Sequence, residues 1–142
     1  MSAIPEYDPR YLAGILLFNR HEFFEAHEVW EDLWRDCAAE PRRFYQGLIQ
    51  AAVAVYHGSN GNVPGARRLF ESGRRYMSAY PTPYLGLDGT RFWQQMANAF
   101  SGFLDGTPSA PLTPLDPARV PDLHLDPPPL AWPDPSVILS NT

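Results

Sequence analysis

The segment Phe44–His57, FYQGLIQAAVAVYH, decides the fold of this 142-residue chain. It is apolar on almost every side of a helical wheel, and a helix with that pattern lies at the centre of a bundle. Elsewhere apolar residues recur at helical spacing, and no segment alternates with the period of two that predicts a strand. The sequence therefore predicts an all-α protein with this helix, the third of five, at its centre.

Capping residues mark where the other helices begin. Asp8, Asn62 and Asp88 are residue types that cap helix N-termini, and Pro9 and Pro41 suit a first helical turn. On these signals the five predicted helices cover residues 9–18, 21–36, 41–57, 63–79 and 89–104. The connections between them are short, which predicts a compact array of mostly antiparallel neighbours.

The chain changes character after residue 104. Residues 105–142 hold ten of the 16 prolines, a content that predicts extended backbone and no helix. Apolar side chains are nevertheless spaced through this segment, more than a disordered linker carries. They are Leu112, Leu115, Val120, Leu123, Leu125, Leu130 and Trp132. We therefore predict a helical domain over 1–104 and an extended proline-rich tail over 105–142 that lies along the bundle or along a partner.

Composition narrows the functional classes. A single cysteine, Cys37, excludes an internal disulfide and is typical of a cytoplasmic protein. The net charge of −5 disfavours binding to nucleic acid or to an anionic membrane surface. The longest apolar run, Ala51–Tyr56, is far shorter than the roughly 20 residues of a membrane-spanning helix, and the first residues do not resemble a signal peptide. No cofactor is indicated.

Charge is unevenly distributed along the chain. Met1–Cys37 holds eight acidic residues and three arginines, whereas Glu40–Tyr80 holds two acidic residues and six arginines. Two explanations are open. Helices from the two parts could pair opposite charges across their exposed faces, or the second part could form a basic patch that binds a ligand.

The second helix carries polar residues inside its apolar side. At about 100° per residue, Phe23, Phe24 and Trp30 belong to one broad apolar arc, and His27 and Glu31 fall within it. The two are four residues apart, so their side chains are neighbours. Because a carboxylate in an apolar environment requires a partner, we expect both to be mostly buried and bonded to each other or to the third helix.

Six residues form the candidate polar cluster: His27, Glu28, Glu31, Gln46, Gln50 and His57. Three interpretations are open: a structural hydrogen-bond network, a metal or acid–base site of His27, Glu28, Glu31 and His57, or a polar pocket for a small ligand. The string His27–Glu31, HEVWE, looks like half of a zinc-protease helix, with Glu31 in place of the second histidine. We therefore predict no bound metal.

Two segments carry a family resemblance. Residues 18–34, FNRHEFFEAHEVWEDLW, and 44–54, FYQGLIQAAVA, resemble the motifs of the family of domain of unknown function 309, and Gly61-Asn62 and Gly65-Ala66 extend the match. The matching motif positions include His27, Glu28, Glu31, Trp34, Gln46 and Gln50. The resemblance covers about Tyr11 to Met77. It implies a compact multihelical domain of bacteria, archaea and plastids, and it implies no activity, substrate or cofactor.

Two functional hypotheses follow from these observations. The first is a non-enzymatic interaction or ligand-binding protein that associates with itself, with another protein or with a small molecule, and whose aromatic residues line a groove. The alternative is a metal-assisted hydrolase or small-ligand enzyme that uses His27, Glu28, Glu31 and His57.

Overall fold

The structure, a computed structural model, describes residues 6–104 and 114–140. This part of the chain is all-helical, as predicted, and contains only two isolated β-bridges, Tyr84–Leu87 and Leu87–Leu125. None of its helices is long and apolar enough to cross a membrane. The helices are α1 Pro9–Asn19, α2 Phe23–Asp36, α3 Arg42–Ser59, α4 Val63–Ser78, α5 Gly89–Ala99, α6 Ser101–Leu104 and α7 Pro135–Ser140, with a 3₁₀ turn at Pro117–Arg119.

Helix α3 packs between α2 and α4, in the central position that its apolar sequence predicts. It forms a close hairpin with α4, and glycines stand where the two backbones meet. A Cβ atom on Gly47 would lie 3.0 Å from the carbonyl oxygen of Gly73 and would overlap the side chain of Met77. A Cβ atom on Gly73 would in turn lie 3.1 Å from the carbonyl oxygen of Gly47.

Several predicted helix ends differ from the structure by one or two residues, and two differences have a clear structural cause. Helix α2 begins at Phe23 rather than at His21, because His21 takes a left-handed conformation with φ of 65° in the turn after α1. The predicted fifth helix is divided at Phe100 into α5 and α6. The amide of Phe100 still bonds to Met96, and its carbonyl accepts from Phe103 and Leu104. This turn buries both Phe100 and Phe103.

The described part of the tail packs against its own bundle. Leu115, Val120, Leu123 and Leu125 are all buried. Asn19 at the end of α1 donates to the carbonyl of Leu123 at 2.9 Å and accepts from its amide at 2.7 Å. Farther along, Leu130 stays 82% exposed and Trp132 is also exposed. The predicted apolar residue Leu112 lies outside the described residues.

The prediction that the tail contains no helix is wrong. Helix α7 begins at Pro135, where a missing amide hydrogen costs nothing. The carboxylate of Asp134 accepts from the amide of Ser136 at 3.0 Å and from its hydroxyl at 2.7 Å. These two hydrogen bonds lower the pKa of Asp134. Helix α7 packs on α1 and α2, so the proline-rich tail contacts the bundle through a helix as well as through extended backbone.

Candidate functional site

Helix α2 turns a different side toward the core than expected. Its buried residues are Phe23, Ala26, Val29, Trp30 and Leu33. His27 and Glu31 therefore lie at the margin of the buried side, with side chains 21% and 38% exposed. The prediction that they are mostly buried holds only in part, because each side chain keeps a solvent-exposed fraction, and no polar or charged residue of the described chain is fully buried.

The expected bond between His27 and Glu31 is present. His27 Nε2 lies 3.3 Å from Glu31 Oε2, and His27 Nδ1 lies 2.8 Å from the carbonyl oxygen of Phe24. Glu31 Oε1 accepts from Arg35 Nη2 at 2.9 Å, and this bond raises the pKa of Arg35. Both ring nitrogens of His27 thus face acceptors. A polar chain runs along the outside of α2 from Phe24 to Arg35.

Aromatic and cationic contacts join this edge of α2 to α3. The rings of Phe24 and Tyr56 are 5.6 Å apart, and each residue is more than 40% exposed. At the other end the guanidinium of Arg42 lies 4.0 Å from the ring centre of Trp34. We call the surface of Phe24, His27, Glu31, Trp34, Arg42 and Tyr56 the α2–α3 face.

The middle of the α2–α3 face is partly apolar. Ile49 and Val53 lie seven and eleven residues after Arg42, on the same side of α3, and both are half-buried. The indole nitrogen Nε1 of Trp34 is buried and meets no acceptor in the described part of the chain. An unpaired buried N–H group destabilises a fold by about 1–3 kcal/mol. The site therefore combines exposed rings with one unsatisfied donor.

The polar residues of α3 lie elsewhere. The Gln50 side chain accepts a hydrogen bond from Ser72 of α4. His57 Nδ1 lies 3.3 Å from Asn62 Nδ2, beside the turn into α4. Gln46 is half-buried one turn before Gln50. Among the described residues, neither His27 nor Glu31 bonds to a side chain of α3, so the six candidates are divided between two sides of that helix.

The arrangement offers little to a metal ion. In residues 6–104 and 114–140, no three histidine, cysteine, aspartate or glutamate side chains converge in a group that could hold one. Glu28, one of the two acids in the proposed metal site, is exposed. The hydrolase hypothesis requires His57 beside His27, and His57 pairs with Asn62 instead.

The chain pairs charge within its acidic and basic parts rather than between them. Arg10 of α1 bonds to Asp32 at 3.2 Å and to Asp36 at 2.7 Å, both on α2. Arg74 bonds to Glu71 within α4. No ion pair of the described residues joins the segment before Cys37 to the segment after Glu40. Among the described residues, the acidic side chains of α2 and the basic side chains of α4 therefore form no ion pairs with each other.

Sequence reasoning missed Arg42 as a site residue and placed Phe24 inside the core. Phe24 lies 100° from Phe23 on the wheel, at the far margin of the apolar arc. Arg42 lies eight residues after Trp34 in the sequence, and its position over that ring depends on the packing of α2 against α3. The sequence indicated this surface only through two aromatic residues, Phe24 and Tyr56, in or near the two motifs.

Comparison with known proteins locates the motifs within a family. The family model described as "Domain of unknown function (DUF309)" matches residues 11–69. This confirms the resemblance found in the two motifs. The matched stretch contains all six residues of the α2–α3 face and ends within α4.

Two relatives are similar over part of their length. The chain is 33% identical over 98 residues to an uncharacterized protein, YpuF, of Bacillus subtilis (strain 168), which covers 66% of this chain and 56% of that protein. It is 28% identical over 72 residues to an uncharacterized protein of Aquifex aeolicus (strain VF5), which covers 50% of this chain and 22% of that one. The chain thus spans about half of the first relative and about a fifth of the second.

Proposed function

Starting from the DUF309 domain that residues 11–69 carry, we propose that this protein is a non-enzymatic interaction module that binds a protein partner on its α2–α3 face. The observation that carries the proposal is the exposed ring pair of Phe24 and Tyr56 beside the polar chain of His27, Glu31 and Arg35. Large exposed aromatic side chains flanked by charged groups are typical of protein-binding surfaces.

The chemistry of the face favours a basic partner segment with an apolar anchor. Exposed Glu22 directly precedes α2 and exposed Glu28 lies one turn after Phe24, and the chain has a net charge of −5. An apolar side chain of the partner would pack on Phe24 and Tyr56, while a neighbouring lysine or arginine would meet the carboxylates. Charge complementarity of this kind raises association rates and selects among partners.

The relatives support a modular role. The matching region makes up 22% of the Aquifex aeolicus protein, so a similar domain is found joined to a much longer chain. A domain that forms part of a larger protein is suited to bring that protein to a partner.

Photocrosslinking in the native host tests the proposal. A photoreactive amino acid placed at position 24 should capture one protein specifically. The same group placed at Gln95, an exposed position on α5, should not capture it. Self-crosslinking from position 24 would replace the proposed partner with a second copy of the chain, and identical products from both positions would overturn the proposal.

Affinity measurements with the captured protein then test the face itself. Phe24→Ala should weaken binding by about 10-fold or more, because buried aromatic anchors dominate interface energies. Leu130→Ala, which removes another exposed apolar side chain outside the face, should leave the Kd unchanged. Added salt should weaken binding of the basic segment. Equal affinities for both variants would contradict the proposed surface.

The hydrolase alternative rests on the contact between His27 and Glu31 alone. Elemental analysis of protein purified without chelators distinguishes the two functions. About one zinc or iron ion per chain, lost in a His27→Ala variant, would favour the metal-assisted enzyme and count against the interaction module.

A further inference from the structure

A cavity of about 340 Å³ lies between the C-terminal part of α4 and helix α5, away from the α2–α3 face. We call it the α4–α5 cavity. Its walls are mainly aromatic and apolar: Phe44, Met77, Tyr80, Pro81, Trp93 and Ala97. The rings of Phe44 and Tyr80 are 5.5 Å apart and form one wall. An apolar cavity of about 150 Å³ holds a benzene molecule, so this volume accommodates a bicyclic aromatic ring system.

Polar groups gather at the rim of the α4–α5 cavity. The hydroxyl oxygens of Thr82 and Thr90 are 3.0 Å apart, so one donates to the other and the second keeps a proton to donate outward. The exposed amide of Gln94 also lies at the rim. These donors could orient an oxygen-bearing group at the mouth.

Arg74 carries the only charge among the lining residues that the structure describes. Its Nη2 donates to Glu71 at 2.7 Å, which leaves further N–H donors of the guanidinium for a ligand. The exposed arginines Arg67, Arg68 and Arg75 share helix α4, whose one acidic residue is Glu71. Arg74 therefore supplies a positive charge at the mouth with which an anion can pair.

A poorly satisfied donor lies in the wall. Trp93 is 5% exposed, and among the described residues its indole Nε1 donates only to the sulfur of Met77, at 3.2 Å. Thioether sulfur is a weak acceptor, whereas a carboxylate oxygen is a strong one. Both residues line the cavity, so an oxygen of a bound molecule would offer this donor a better partner.

We propose that the α4–α5 cavity is a binding site for a small planar aromatic carboxylate whose ring system lies against Phe44, Tyr80 and Trp93 and whose carboxylate meets Arg74. The volume selects a molecule of about two fused rings. The single cation at the mouth selects a negative charge. Apart from Phe44, the lining residues follow residue 69, so the site lies largely outside the family-matched segment. It is independent of the partner surface proposed above.

Calorimetric titration with three matched probes tests the ligand class. Naphthalene-2-carboxylate should bind with a Kd below about 1 mM, in line with the efficiency of ligands of this size. The neutral naphthalene-2-methanol should bind about 5-fold or more weakly, and a naphthylmethylammonium cation more weakly still. In parallel, the Trp93 indole N–H resonance should shift on addition of the carboxylate.

Variants locate the bound probe. Arg74→Gln should weaken binding of the carboxylate by about 5-fold or more, because it removes the charge at the mouth. The affinity for the alcohol should stay unchanged. Arg75→Gln, on the same helix and outside the cavity lining, should change neither affinity. Ala97→Leu should weaken all probes by filling the cavity. Melting temperatures verify that each variant is folded.

Three results would overturn the proposal. The first is no binding of any probe up to about 5 mM. The second is equal affinity for the carboxylate and the alcohol, with no effect of Arg74→Gln. The third is binding that a folded Ala97→Leu variant leaves unchanged, because the probe would then occupy a different part of the surface.

Discussion

At the scale of single residues, helical spacing predicted the partner of His27 but not its environment. A separation of four residues brings His27 and Glu31 together in any helix. Whether these two side chains are buried depends instead on which half of the broad apolar arc of α2 packs against the neighbouring helices. The wheel alone could not show that Val29 lies in the core and that Phe24, at the opposite margin, is exposed.

Buried tyrosines make the stability sensitive to alkaline pH. Tyr11 is fully buried and donates to the carbonyl of Leu85 at 2.9 Å, and burial raises the pKa of its hydroxyl well above the ordinary value. Burial also raises the pKa of Tyr45. The folded state keeps both phenols protonated, so their contribution is complete below the unfolded pKa of about 10 and is lost as pH rises above it.

We therefore expect the free energy of unfolding to fall above about pH 10, by up to about 1.4 kcal/mol per pH unit for each buried tyrosine. Tyr11→Phe should flatten this decline by one tyrosine's share, although it begins less stable because Leu85 loses its donor. Urea unfolding of both proteins at a series of pH values measures the slopes. Identical slopes would mean that Tyr11 ionises as readily in the fold as in the unfolded chain.

At the scale of elements, local capping signals predicted where helices begin. Asp8 accepts from the amide of Arg10 at 2.9 Å and opens α1, and Asp88 accepts from Arg91 at 3.0 Å and opens α5. At the start of α1, Asp8 is followed by Pro9. The same Asp-Pro sequence occurs at Asp116-Pro117 and Asp134-Pro135, where it opens the 3₁₀ turn and α7. The helix in the tail could therefore have been predicted, because its start matches that of α1.

The path of the tail, by contrast, depends on contacts between distant residues. We predict that Asn19→Ala destabilises the protein by about 1–3 kcal/mol, because it leaves the buried amide and carbonyl of Leu123 without partners. In this variant the amide hydrogen of Leu123 should exchange faster with solvent. Chemical denaturation should give a correspondingly lower free energy of unfolding.

Asn98→Ala is the matched control for this prediction. Asn98 accepts a hydrogen bond from Arg119 at 3.0 Å through its backbone carbonyl, which the substitution retains. Its side chain is exposed, so the stability should change little. If Asn19→Ala and Asn98→Ala were equally mild, the hydrogen bonds to Leu123 would not hold the tail.

At the scale of the whole molecule, the all-α class followed from periodicity, whereas the set of tail residues that joins the core did not. The sequence predicts a helical domain over 1–104. The buried residues Leu115, Val120, Leu123 and Leu125 join the same core from beyond it. Composition distinguishes proline-rich from helical sequence, but it does not report which apolar side chains complete a core.

Deletion of residues 105–142 tests whether the bundle folds alone. Burial of each large aliphatic side chain contributes about 1.5–3 kcal/mol, and the whole stability of a domain is about 5–15 kcal/mol. Loss of the four buried tail residues should therefore lower the melting temperature strongly or cause aggregation. Leu123→Ala in the full chain should give a smaller loss in the same direction. A shortened protein with an unchanged melting temperature would establish 1–104 as an autonomous domain.

The hydrogen bonds between Asn19 and Leu123 also bear on how the protein is made. Their partners are 104 residues apart, and a ribosome adds about 5–20 residues per second. Asn19 is thus synthesised roughly 5–20 s before Leu123, long enough for α1 to α4 to form while the tail is still missing. The rate of translation therefore sets how long the apolar surface that Leu123 covers stays exposed in the nascent chain.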